Sequence, residues 1–239
     1  MPIHDTLKPD DNPVRTATMN HEARESVIPT AQITVISDAI CPWCYIGKAN
    51  LDAVIDSLAG DIDVTVNWKP FELNPDMPEG GMSRRDYRSA KFGSWARSQE
   101  LDAQVETAAR QAGVEIHHER MQRTPNTFAA HRVIWLAGRH GVQQCVVEAL
   151  FRAYFVEGRD IGQPEVLAAL AEHNGLAGVP VLEFLQGEEG TGEVRDELAQ
   201  AHRLGVSGVP AFIFAGRTAL SGAQPPEVIR EAIVEVAGG

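Results

Sequence analysis

Two cysteines two residues apart, Cys41-Pro42-Trp43-Cys44, are the residues in this chain best placed to do chemistry. Such a pair can be a permanent staple, half of a metal site, or a couple that exchanges electrons with another disulfide. The chain has 239 residues and three cysteines. That number is odd and too small for a disulfide framework. The first 30 residues hold no apolar core of a signal peptide, so the expected location is a reducing cytoplasm. A CxxC there is catalytic or metal-binding rather than a staple. A zinc site needs four ligands, and no second CxxC follows. His117 and His118 are adjacent, so their side chains diverge on a helix, and Cys145, beside Val146 and Val147, is expected to pack as a small hydrophobe. No metal ligand set is therefore expected. A non-enzymatic module that holds metal or senses oxidant stays open as an alternative.

The elements around the pair make its two sulfurs unequal. Gln32 to Ser37 is a short β-branched apolar run, which predicts a buried strand. A helix over 42–58 follows, closed by Gly60. Cys44, Leu51, Ile55 and Leu58 are spaced seven, four and three, which puts Cys44 on the buried stripe. Cys41 lies at the helix start, and Pro42 suits the first helical position, where its missing N–H costs nothing. A helix N-terminus stabilises a thiolate, and a thiol of pKa ~8.5 can fall to roughly 3.5–7.5 in such settings. Cys41 is then an exposed attacking sulfur, and Cys44 a shielded resolving one. Pro42 and Trp43, between them, help set that reactivity.

Ile62, Val64, Val66 and Trp68 alternate with polar residues, which predicts a half-buried second strand and a parallel crossover from the first. A block without strand signals follows. Helices are expected over 84–112 (capped by Ser83 and ended by Gly113), over 128–140, over 142–155 (stopped by Gly158), over 164–174 and over 193–204. Strand signals return in Ala211–Phe214 and Arg217–Leu220, which form a hairpin, and Pro225-Pro226 opens a last helix. The order is βαβ, helices, ββα. Gly205 to Phe214 places Pro210 directly before an apolar strand, where it cannot donate to a ladder. Val209-Pro210 can be a cis bond in a turn, or simply a strand-edge proline.

Together the CxxC and this proline loop look like an α/β thioredoxin fold, and the wider pattern resembles the DsbA family, its FrnE-like branch most of all. The residues that carry the likeness are Ser37 to Lys48 (SDAICPWCYIGK), Pro70 to Pro75 (PFELNP), Asn126-Thr127 with Ala130 to Arg132, Gly205 to Pro210, and Ser221 to Gln224. The resemblance implies a thioredoxin core (βαβ…ββα) interrupted by an all-helical insertion. It divides the chain into a tail over 1–30, core segments over 31–73 and 205–239, and an insertion over 74–204. It implies that Cys41 attacks, that Cys44 resolves, and that Val209 and Pro210 form a cis-proline loop facing both sulfurs. In that family the backbone before the proline pairs with a substrate peptide or with glutathione. No cofactor is required beyond the Cys41–Cys44 couple, with glutathione as an optional co-substrate; many relatives form homodimers. Asn74, Ser221 and Gln224 are candidate contacts to a substrate or glutathione. A neighbouring branch, the 2-hydroxychromene-2-carboxylate isomerases and kappa-class glutathione transferases, commonly has Ser where this chain has Cys41, which favours dithiol chemistry over glutathione-dependent isomerisation.

The net charge of −12 repels phosphate backbones and argues against nucleic acid. No apolar run reaches the ~20 residues that span a bilayer. Met19 is an alternative start to Met1. Trp68 and Phe71 are expected in the core or a pocket wall, and His131 in helix packing. Asp38, three residues before Cys41, either tunes its thiol or makes a turn hydrogen bond.

Overall fold

The computed structural model describes Met1 and residues 28–238. The expected tail over 1–30, apart from Met1 and residues 28–30, and the alternative start at Met19 lie outside the described residues. Four strands make the central sheet: β1 (Thr30–Ser37), β2 (Asp63–Pro70), β5 (Ala211–Phe214) and β6 (Thr218–Ser221), in the order β2-β1-β5-β6. β1 runs parallel to β2 and antiparallel to β5, and β6 closes the hairpin on β5. Val35 lies opposite both Trp68 and Phe212 in this register, so the buried stripe of β1 is flanked by large apolar groups. The sheet and its first and last helices are therefore a thioredoxin fold of the α/β class.

Helix α1 (Pro42–Ser57) connects β1 to β2 and packs against α9 (Pro226–Ala237), which also lies on β1 and β5. Cys44, Leu51 and Leu58 are buried, as the helical spacing predicts, whereas Ile55 is only partly buried and Val54 takes the buried place beside it. Between β2 and β5 lies the inserted helical block: α2 (Arg84–Phe92), α3 (Trp95–Gln111), α4 (Phe128–Arg139), α5 (Gln143–Phe151), α6 (Pro164–His173), α7 (Val181–Gln186) and α8 (Thr191–Arg203). Helices α4, α5 and α8 contact β2, while α3 reaches back to α1.

The structure departs from the sequence expectations at several points. The single helix expected over 84–112 is two, because Gly93 adopts a left-handed φ of 85° and Ser94 starts a new helix by accepting from the Arg97 N–H at 3.1 Å. The helix expected over 142–155 is α5 followed by a π-helical turn, Arg152–Val156. The short helix α7 and the two-residue pair β3 (Met82–Ser83) with β4 (Arg123–Thr124) carry too few residues to show a periodicity. His117 and His118 lie in a non-helical segment after α3. Cys145 is exposed rather than packed, because Val146 and Val147 take the buried side of α5.

Two buried charged groups tie the block together. Lys48 of α1 bonds Asp52 at 2.5 Å and Glu148 of α5 at 2.9 Å. Arg132 of α4 donates to the carbonyls of Phe184, Leu185, Gly187 and Glu189, and so satisfies the open C-terminal end of α7. One glycine controls how closely α1 meets the sheet. A Cβ at Gly47 would sit 3.0 Å from Phe212 Cζ and 3.1 Å from Pro210 Cγ. Gly47→Val should therefore lower the unfolding free energy by about 1–3 kcal/mol through overpacking. The urea midpoint measures this, and an unchanged midpoint would show that β5 can retreat at no cost.

Candidate active site

Cys41 is the N-cap of α1. Its φ of −87° and ψ of 112° leave the helix, and its thiol makes no capping bond to the first turn. Its N–H donates to the Asp38 carbonyl at 3.0 Å, and its own carbonyl accepts from the Cys44 and Tyr45 amides at 3.0 and 3.3 Å. The Cys41 Sγ instead turns to the loop before β5, donating to the Val209 carbonyl at 3.5 Å. The Val209–Pro210 peptide is cis. The sequence expectation of an exposed Cys41 is corrected here. The residue is 3% exposed and Cys44 0%. What separates them is a cavity of about 360 Å³, which Cys41 lines and Cys44 does not. Trp43, 42% exposed, and Pro42 stand at its wall beside Gly208 and Val209.

Burial pushes the Cys44 thiol well up from its ordinary value, and the adjacent Cys41 pushes it further. Bonding to the Ser37 side chain and the Asp38 backbone opposes this without reversing it. Cys44 therefore stays a thiol through neutral pH.

Asp38 is fully buried and organises the loops on either side of the sulfurs. Its carboxylate accepts from the Ile40 N–H at 3.3 Å and the Leu73 N–H at 2.7 Å. His131 lies 3.7 Å from the same carboxylate and bonds the Phe71 carbonyl at 2.9 Å. The segment after β2 is thereby clamped to the segment after β1, which brings Leu73 and Asn74 into the cavity wall. The turn hydrogen bond expected of Asp38 is present, and the helix-borne His131 is part of the same clamp rather than of the cavity. Trp68 and Phe71 are buried, as expected.

Of the other sequence candidates, Asn74 lines the cavity, whereas Ser221 and Gln224 do not. Those two brace the far side of the proline loop. The Gln224 side chain donates to the Ser221 carbonyl at 2.6 Å, its own carbonyl accepts from Asn50 at 2.9 Å, and the Gly222 N–H donates to the Pro210 carbonyl at 2.8 Å. The sequence reading missed the wall that the insertion supplies: Arg84, Tyr87, Arg88 and Lys91 of α2, His118 and Met121 after α3, and Tyr154. A signal was present, since Arg84, Arg88 and Lys91 are spaced four and three, on one helical face. Arg84 and Arg88 share one carboxylate, Asp102, at 2.8 and 2.5 Å. His118 bonds Glu106 at 2.8 Å, yet burial, its largest influence, keeps its pKa below the ordinary imidazole value. Among the described residues no group of three or more His, Cys, Asp or Glu side chains is arranged to hold a metal ion.

The family description "DSBA-like thioredoxin domain" fits residues 32–234, nearly the whole described chain. The chain belongs to that family. The Bacillus subtilis (strain 168) protein YwbO, described as uncharacterized, is 30% identical over 205 residues, covering 85% of this chain and 96% of YwbO. The probable DsbA oxidoreductase SCO1869 from Streptomyces coelicolor superposes with a TM-score of 0.78 at 29% identity, over 87% of this chain and 90% of its own. The cytosolic disulfide reductase DsbM from Pseudomonas aeruginosa, solved with GSH, shares the fold with a TM-score of 0.58 at 21% identity, over 85% and 98% of the two chains. No helix among the described residues is long and apolar enough to cross a membrane.

The burial difference can be read by alkylation. In the reduced native protein, iodoacetamide at pH 7.5 should modify Cys145 and Cys41 while Cys44 stays unlabelled, and all three should label in urea. Peptide mass spectrometry resolves the sites. Labelling of native Cys44 as fast as Cys145 would show that its seal is not real.

Proposed function

We propose that this protein is a thiol–disulfide oxidoreductase, with Cys41 the exchanging sulfur and Cys44 the resolving one. One observation carries the reading: Cys41 lines a cavity, while Cys44 sits behind it, sealed, in the first turn of the same helix. The Cys41 thiolate attacks one sulfur of a substrate disulfide; a Cys41–substrate bond forms, and the other substrate sulfur leaves with the electron pair. Cys44 then gives its proton to the released thiolate, directly or through solvent, and attacks Cys41. The second substrate sulfur departs as thiolate, and the Cys41–Cys44 disulfide remains. The substrate has gained two electrons that the cysteine pair has lost. A thiol or dithiol reductant returns them, and a reducing cytoplasm holds such reductants. Run backwards, the same steps oxidise a substrate dithiol.

The geometry supports this order. A thiol at the mouth of α1 lies where the helix N-terminus favours negative charge, and the cavity wall adds Arg84, Arg88 and Lys91. Cys44 is fully buried behind Cys41, so the disulfide it can attack is the one that Cys41 forms with the substrate. Protein disulfides and glutathione disulfide are both candidate substrates, and Val209 offers backbone beside the sulfur for a peptide to pair with. An isomerase using bound glutathione would need a single hydroxyl or thiol. The second sulfur directly behind the first favours dithiol exchange.

With dithiothreitol as reductant and insulin as substrate, Cys41→Ser should reduce turnover at least about a hundredfold, to the uncatalysed rate. Cys44→Ser should accumulate a covalent mixed disulfide on Cys41, visible by non-reducing mass spectrometry. Retained turnover in Cys41→Ser would overturn the assignment.

A further inference from the structure

The cavity beside Cys41 is lined chiefly by apolar groups, among them Ile40, Leu73, Phe92, Leu101, Met121 and Phe155. Its volume of about 360 Å³ falls in the range of roughly 300–1,000 Å³ that small-molecule sites span. The polar groups on its wall are unevenly signed. Arg84, Arg88 and Lys91 line it beside His118, and among the described residues no Asp or Glu does. Among the described residues Arg84 and Arg88 share the single carboxylate of Asp102, which leaves one positive charge over. Glu106, 2.8 Å from His118, offsets it, whereas Lys91 has no carboxylate within 4 Å among the described residues and is the cation left without a counter-charge.

Asn74 sharpens this picture. Its Oδ1 accepts from the Tyr87 hydroxyl and from Lys91 Nζ at 3.2 Å. An ammonium can only donate, so the oxygen must face Lys91, and the orientation of the amide is fixed. Its Nδ2 is then left buried with no partner among the described residues. A buried donor without an acceptor costs about 1–3 kcal/mol, and a ligand oxygen placed there would recover it.

Resting on the oxidoreductase reading, we propose that the cavity selects a small, mostly apolar thiol or disulfide carrying one carboxylate, with its sulfur at Cys41 and its carboxylate at Asn74 Nδ2 and Lys91. The apolar lining takes the body of the molecule. Glutathione is a poorer fit, because it also carries an ammonium and two peptide groups, and the wall offers no carboxylate to the former. The chemistry is the exchange described above: the Cys41 thiolate bonds one sulfur of the disulfide, and the other leaves as thiolate with the electron pair.

The test uses protein carrying Cys44→Ser and Cys145→Ser, so that only Cys41 reacts. The probes are bis(4-carboxyphenyl) disulfide, its bis-carboxamide and glutathione disulfide. Each rate is divided by the rate of the same probe with N-acetylcysteine, which removes intrinsic reactivity. The diacid should then exceed the diamide by about tenfold, the effect of one charge-assisted contact. It should also exceed glutathione disulfide. Adding Asn74→Leu with Lys91→Met should bring the diacid-to-diamide ratio to about two or less, and the exposed Lys91→Met alone to about three. Equal diacid and diamide rates, a ratio unmoved by the substitutions, or glutathione disulfide as the fastest probe would overturn the proposed selectivity while leaving the exchange function standing. If Cys41 reacts with no probe faster than N-acetylcysteine does, the proposed selectivity falls, and the oxidoreductase reading falls with it if the unsubstituted protein also fails to turn over insulin.

Discussion

The site depends on how closely the start of α1 can approach the loop before β5. Gly47 carries no side chain where Phe212 and Pro210 press against the helix, and the Cys41 Sγ reaches the Val209 carbonyl as a result. Interiors are packed at crystal-like density, so a single added methyl group at such a contact is felt. This approach joins two segments separated by 168 residues. The whole helical insertion lies between them in sequence, yet it adds nothing to the contact itself. The central sheet sets the distance, because β1 feeds α1 and pairs directly with β5.

Asp38 performs the complementary task on the other side. A carboxylate removed from water must find donors, and this one finds the Ile40 and Leu73 amides and the nearby His131. By satisfying its own oxygens it fixes the chain after β1 and the chain after β2 relative to each other. The cavity wall at Leu73 and Asn74 is a consequence of that satisfaction. The same desolvation raises the Cys44 thiol behind it. Burial thus does two kinds of work within a few residues: it positions the wall, and it raises the thiol of Cys44.

The insertion supplies what the core lacks. The thioredoxin part contributes the sulfurs, the proline loop and one apolar side of the cavity. Helix α2 and the segment after α3 contribute the cations and the remaining apolar groups. A chain with a net charge of −12 has here concentrated positive side chains around one small volume. The break at Gly93 and Ser94 matters to that arrangement. It lets α2 and α3 fold against each other, so that Asp102 of α3 meets Arg84 and Arg88 of α2.

Local sequence determined the elements that rest on period and on punctuation. Alternation marks β2, the spacing of Leu51 and Leu58 marks α1, Pro42 marks its first turn, and the paired cysteines mark the chemistry, because each of these signals lies within one element. Short elements such as α7 and the β3–β4 pair escape that kind of reading, as does the exposure of Cys145, which depended on which face α5 turns inward. The cavity was beyond it altogether. Its wall draws on residues from Ile40 to Val209, and no local pattern says that Asn74 lines it with a buried donor to spare while Ser221 and Gln224 do not line it. Nor could the sequence show that Cys41 is covered from bulk solvent and reached through a pocket. Spacing along one helix assigns a side chain to a face, but only the packing of distant segments decides what that face meets.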